Sequence, residues 1–129
     1  MKRLLILLFI SASIISCSNK KVKELSPAEF KKQLELLDEY QLVDVSSKEE
    51  FEKRHIPGSV NIDYYSPNLE IDIENLNPYV PIFVYCELGG RSKEFAKLLK
   101  QKKFEKIYIL KGGIDRWEKE GYPVESVKP

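Results

Sequence analysis

Cysteine and histidine are scarce in this chain: among 129 residues there are two cysteines, one histidine, one methionine and one tryptophan. An excess of charge of either sign is also missing. Lysine and arginine number 21 against 20 acids, a net charge of +1, and no basic stripe interrupts the mixture. That balance argues against nucleic acid as a partner. Internal repeats and low-complexity tracts are absent, and the length suits one domain around one core. Long apolar runs are missing too. The seven residues LLILLFI, at positions 4–10, are too short to span a bilayer as a helix.

Scarcity gives the two cysteines weight. Met1-Lys2-Arg3 supplies a positive start, LLILLFI an apolar segment, and SASIIS leads to Cys17. This is the pattern of a secretory signal. Ile14 to Cys17 reads IISC, which resembles a bacterial lipobox, whose cysteine is diacylated and becomes the first mature residue. The expected organisation is a signal peptide over residues 1–16, a lipid-anchored tether over 17–24 and a folded domain over 22–127. Ser18 follows the cysteine where an aspartate would mark inner-membrane retention, so the outer membrane, facing the periplasm, is favoured. Removing residues 1–16 takes away Lys2 and Arg3 and no acid, leaving 19 basic against 20 acidic residues. Lipidation also uses up Cys17, so Cys86 has no partner in the chain. In an oxidising compartment a lone thiol is either buried and inert or kept for chemistry.

The elements alternate. Val22 to Leu25 reads as a first strand, and Ser26-Pro27 with Glu29 opens a helix carrying Phe30, Leu34 and Leu37 on one face. LVDV (42–45) is a strand, and SSKEEFEKR a capped helix with acids in its first turn. HIPGS is a turn, SVNI (59–62) a brief strand, and residues 63–79 a long connection with one helical turn. PIFVYC (81–86) is the strongest strand, followed by a helix from Arg91 to Lys103. KIYIL (106–110), the Gly112-Gly113 turn and IDRWEKEG complete the series. Such alternation predicts βαβ units, a parallel sheet and helices on both faces.

Cys86 closes the strongest strand, where chemistry gathers in open parallel sheets. The loop Glu87-Leu88-Gly89-Gly90 can curl its amides inward because glycine tolerates positive φ. The helix that follows adds partial positive charge at its start. Together they favour an anion, the Cys86 thiolate included. Arg91 brings a permanent cation to orient an oxyanion substrate. The competing reading, a buried structural cysteine before a glycine-rich turn, leaves Arg91 without a purpose.

Cys86 to Ser92, CELGGRS, resembles the C-x-x-G-x-R-S loop of single-domain rhodaneses. LVDVSSKEEFEKRHIPGSVNI resembles that family's Asp-Val-Arg, Glu-Phe/Tyr and H-I-P-G-A-x-N run. ILKGGIDRWEKEGYPV resembles its closing L-x-G-G-x-x-x-W segment. The likeness covers residues 22–124. It implies a three-layer α/β/α fold with a central, mainly parallel five-stranded sheet. It also implies sulfur transfer through a Cys86 persulfide, with no metal and no cofactor. The donor is a small sulfur anion such as thiosulfate, a persulfide or a polysulfide; the acceptor is cyanide or a thiol, including one on a protein. Cys86 and Arg91 are the expected catalytic pair, and Glu87, Leu88, Gly89, Gly90 and Ser92 the expected binding residues. Asp44 and the lone His55 are expected to brace loops.

The alternatives are a persulfide carrier or interaction module without turnover, and a cysteine-dependent phosphatase or arsenate reductase. Protein tyrosine phosphatases use Cys-x5-Arg; this chain has Cys-x4-Arg, too short a cradle for phosphate, and no general acid can be placed. Two departures from the family stand out. Glu87 takes a position that is often basic or small, where an inward carboxylate would raise the thiol and repel dianionic thiosulfate. Ser46 stands where arginine commonly follows Asp-Val, which removes an ion-pair partner from Asp44.

Overall fold

The computed structural model of the chain describes residues 21–127. The expected signal peptide (1–16), Cys17 and residues 17–20 of the expected tether lie outside the described residues. Ten elements follow in order: β1 (Val22–Leu25), α1 (Pro27–Leu36), β2 (Gln41–Asp44), α2 (Lys48–Lys53), β3 (Val60–Asn61), α3 (Leu69–Glu74), β4 (Ile82–Tyr85), α4 (Gly90–Gln101), β5 (Ile107–Leu110) and α5 (Gly113–Lys119). Residues 22–24, expected to end the tether, therefore belong to the sheet.

The five strands run in the order β1-β5-β4-β2-β3, and each paired neighbour is parallel. The period of two along each strand sorts the core into two halves. Val43, Val45, Ile82, Val84, Ile107 and Ile109 pack with Phe95, Ala96 and Leu99 of α4 and Ile73 of α3. Leu42, Phe83, Tyr85, Tyr108 and Leu110 pack with Phe30 of α1 and Ile114 and Trp117 of α5. Phe30 meets Phe83 and Trp117 edge-on, at centroid distances of 5.1 and 5.9 Å. A buried aromatic ring of this kind contributes about 1.5–3 kcal/mol by area alone. The sheet is α/β with helices on both faces, as the alternating pattern predicts.

The helix starts follow from local chemistry. Ser26 accepts the Glu29 amide with Pro27 at the first position. Ser47 and Glu50 form a reciprocal cap at α2: the Glu50 amide donates to Ser47 Oγ at 3.2 Å, and the Ser47 amide to Glu50 Oε2 at 2.8 Å. The connection after β3 holds more helix than one turn, since α3 runs for six residues. Its anchor is Ile73, buried against the α4 side of the sheet.

Candidate active site

Strand alternation places Cys86 beyond β4 on the α4 face, with only 1% of its surface exposed. The chain then turns through Glu87, Leu88 and Gly89. Gly89, at φ +108°, swings its amide back to donate to Cys86 Sγ at 3.1 Å. Glycine takes that left-handed backbone without strain. Helix α4 begins at the next residue, so the positive end of a twelve-residue helix sits beside the sulfur. Buried Ser92 donates to the Gly89 carbonyl at 3.0 Å, and its Oγ accepts from Cys86 Sγ at 3.5 Å. Leu88, at the loop tip, is 72% exposed.

The loop's carbonyls face the opposite way. The Cys86 oxygen accepts from the Ile114 amide at 2.9 Å, and the Glu87 oxygen from the Asp115 amide at 3.1 Å. Both donors belong to the first turn of α5, which leaves those amides without intrahelical partners. Gly113 makes this approach possible, because a methyl group there would lie 2.3 Å from the Glu87 oxygen and 2.5 Å from the Cys86 oxygen. The glycine pair that sequence reading takes for a simple turn is the seat of the Cys86 loop.

Two ion-pair systems flank the loop, and each contains a residue that sequence reading does not select. Arg91 meets Glu50 end-on, with Nη1 2.7 Å from Oε2 and Nη2 3.1 Å from Oε1. Hydrogen bonding from Arg91 brings the Glu50 carboxyl down to about 2, against partial burial. The pair is therefore fully charged at neutral pH. On the other flank Arg54 holds Glu87 at 3.2 Å, Asp115 at 3.6 Å and Glu118 at 2.6 Å. The Glu87 carboxylate is thus turned towards α5 and Arg54, not towards the sulfur. The Ser47–Glu50 spacing of a capping box is a signal that could have drawn attention to Glu50; nothing local marks its reach to Arg91.

His55 braces, with its side chain buried. Its Nδ1 lies 2.8 Å from the Phe51 carbonyl oxygen and its Nε2 3.0 Å from Glu125 Oε1, while the ring stacks on Phe51. Backbone bonds between His55 and Glu125, both 2.9 Å, pin the end of the described chain beside α2. Asp44 lies on the opposite sheet face from Cys86. Its Oδ1 accepts the Ser46 amide at 2.9 Å, and Ser46 Oγ is buried with no partner among the described residues. Nearby, the Tyr85 hydroxyl accepts the Ile56 amide at 2.9 Å and lies 2.7 Å from Ser59 Oγ. Burial keeps that phenol protonated. Of the exposed tyrosines, Tyr65 meets the Tyr64 ring edge-on at 5.1 Å. Tyr79 stands at the amino end of β4, away from the sulfur.

Burial raises the Asp44 carboxyl above the usual 3.8. The charged form is thus costlier folded than unfolded. That cost is absent below pH 3.8 and grows as pH rises through the folded value. Asp44→Asn keeps the bond from Ser46 and offers an amide to Ser46 Oγ. It is expected to stabilise the fold by roughly 1 kcal/mol at pH 7, with the gain vanishing near pH 3.5. Urea midpoints at the two pH values check this; a loss of stability at pH 7 would refute it.

Among the described residues, no three His, Cys, Asp or Glu side chains are grouped to hold a metal ion. Residues 26–120 match the family model described as Rhodanese-like domain. The thiosulfate sulfurtransferase GlpE of Pseudomonas syringae is 36% identical over 67% of this chain and 79% of its own length. The putative sulfur carrier protein YrkF of Bacillus subtilis is 31% identical over 74% of this chain. The adenylyltransferase and sulfurtransferase UBA4 of Meyerozyma guilliermondii is 38% identical over 61% of it. The chain spans 51% of the length of the Bacillus protein and 20% of the length of the Meyerozyma protein. The crystal structure of a rhodanese-related protein from Thermoplasma volcanium superposes with a TM-score of 0.71 at 26% identity, covering 82% of this chain and 99% of that one.

Proposed function

The chain belongs to the rhodanese-like domain family, and on that premise we propose that it is a sulfurtransferase working through a Cys86 persulfide. The observation that carries the reading is the Gly89 amide aimed at a buried Cys86 Sγ, in a loop whose Cys86 and Glu87 carbonyls are turned away to α5. An amide aimed in this way, at a helix start, stabilises a thiolate and then a persulfide anion. The Cys86 thiolate attacks the outer sulfur of the donor. A sulfur–sulfur bond forms on Cys86 as the donor's own sulfur–sulfur bond breaks, and sulfite leaves from thiosulfate, or a thiolate from a persulfide. An acceptor thiolate then attacks the outer sulfur and releases Cys86 as thiolate. The step needs no metal and no cofactor.

A second reading is that of a persulfide carrier, favoured by the sulfur-carrier name of the Bacillus relative. In that case Cys86 loads but small thiols do not unload it. Phosphatase or arsenate chemistry stays the weakest option, because the Cys-x4-Arg loop is short and both terminal nitrogens of Arg91 are engaged by Glu50.

The protein is further proposed to be held in a bacterial envelope by lipid on Cys17, on the periplasmic side of the outer membrane. Four residues lie between Cys17 and Val22, and the five chain steps reach at most about 18 Å. The sheet is parallel, so the anchor joins its amino edge while Cys86 lies at its carboxyl edge. The reactive loop accordingly faces away from the bilayer. Intact-mass measurement of protein purified from bacterial membranes tests both parts. The expected mass lacks residues 1–16, carries a diacylglyceryl group on Cys17 and gains one sulfur after thiosulfate or an alkyl persulfide. No adduct with either donor removes the enzyme reading; an unlipidated mass removes the anchor.

A further inference from the structure

We propose that Glu50 is a specificity-determining residue, which by occupying Arg91 turns the site from dianionic donors towards persulfides carrying one negative charge or none. The inference rests on the sulfur-transfer reading and deepens it. Arg91 is the cation expected to receive an anionic donor, yet Glu50 occupies both of its terminal nitrogens in an end-on pair of 2.7 and 3.1 Å. That two-pronged geometry is the one an oxyanion would need. The second arginine at the loop is committed as well, since Arg54 faces Glu87, Asp115 and Glu118. Two guanidinium charges thus stand among four carboxylates, and Lys119 offsets one of these at 3.1 Å from Asp115.

Thiosulfate must displace Glu50 from Arg91 and then lie beside a freed carboxylate, two like charges away from neutrality. An alkyl persulfide needs neither. Its terminal sulfur is attacked by the Cys86 thiolate, the sulfur–sulfur bond of the donor breaks, and the alkyl thiolate leaves. Exposed Leu88, at the tip of the Cys86 loop, borders this approach with apolar surface suited to an organic group.

The test compares thiosulfate with an alkyl persulfide whose chain carries no charge, 2-hydroxyethyl persulfide, reading kcat and KM separately in the intact protein and in Glu50→Gln. Glutamine keeps one acceptor for Arg91 and for the Ser47 amide but carries no charge. The expected wild-type kcat/KM favours the persulfide by about 100-fold or more. In Glu50→Gln, KM for thiosulfate is expected to fall by about 10-fold, so the preference narrows. A gain of this kind cannot come from a damaged loop. Equal use of both donors by the wild-type protein overturns the proposal while leaving sulfur transfer intact, and it does so without any variant. A parallel loss against both donors in Glu50→Gln also overturns it, by making the pair merely structural. Failure of both donors to load Cys86 removes the sulfur-transfer reading, and this proposal with it.

Discussion

Cys86→Ser is expected to abolish sulfur transfer while leaving the fold in place. Serine is nearly isosteric, and its oxygen can accept the Gly89 amide that now points at sulfur from 3.1 Å. What disappears is the chemistry. A serine hydroxyl does not ionise at neutral pH in this loop, because the nearest side chain, Ser92, is no base and donates to the Gly89 carbonyl. The lone histidine cannot substitute, since both nitrogens of His55 face Phe51 and Glu125. Turnover should fall by about 1,000-fold or more, to the background rate, and the one-sulfur mass gain should vanish with every donor. Stability should change by about 1 kcal/mol or less, the loss of a buried sulfur being offset by a hydrogen bond. A urea midpoint and an intact mass after donor treatment decide the matter. An adduct persisting in the variant would mean that the sulfur resides elsewhere.

Much of this architecture was legible from local pattern. The apolar run ending at Cys86 identified β4, and Gly89-Gly90 with Arg91 marked a loop that turns amides inward before a helix. Serine caps located α1 and α2 to within a residue. The parts that stayed hidden depend on how distant helices seat against the sheet edge. Glu50 reads as one of the acids in a helix's first turn, and only the placement of α2 beside α4 brings it to Arg91. Arg54 reads as the end of that helix, yet the register of α5 under the loop surrounds it with three carboxylates. The charge of Glu87 was plain, while its direction was not. An inward Glu87 would have opposed the thiolate, and the ion pair with Arg54 turns it towards α5 instead.

These contacts give the Cys86 loop two differently supported faces. One face presents amides and a helix start to the sulfur; the other hands its carbonyls to α5. The two adjoin, because the Glu87 carbonyl held by α5 stands one peptide group before the Leu88–Gly89 peptide whose amide reaches the sulfur. The placing of the Gly89 amide at Cys86 therefore leans on α5. The Arg54 cluster adds to the same linkage by tying Glu87 of the loop to Asp115 and Glu118 of α5. The electrostatics of the site is thus set by the seam between loop and α5 as much as by the loop itself.

Gly113→Ala tests that seam and carries the second large expected effect. A methyl at this position would stand 2.3 Å from the Glu87 oxygen and 2.5 Å from both the Cys86 oxygen and the Glu87 carbonyl carbon. All three are backbone atoms, so no side-chain rotation relieves the clash. The residue also sits at φ +64°, which alanine adopts only under strain. The loop must retreat from α5, stretching the bonds from the Ile114 and Asp115 amides. Strain and overpacking together should cost about 2–4 kcal/mol. Displacing the amide cradle from Cys86 should lower turnover by about 100-fold. Gly90→Ala provides the stability control, because a methyl there meets nothing within 4 Å and the backbone is helical. Its midpoint should stay within about 0.5–1 kcal/mol of the parent. Denaturation midpoints and turnover of both variants separate the effects. A Gly113→Ala protein with parental midpoint and parental turnover would show that α5 does not hold the loop.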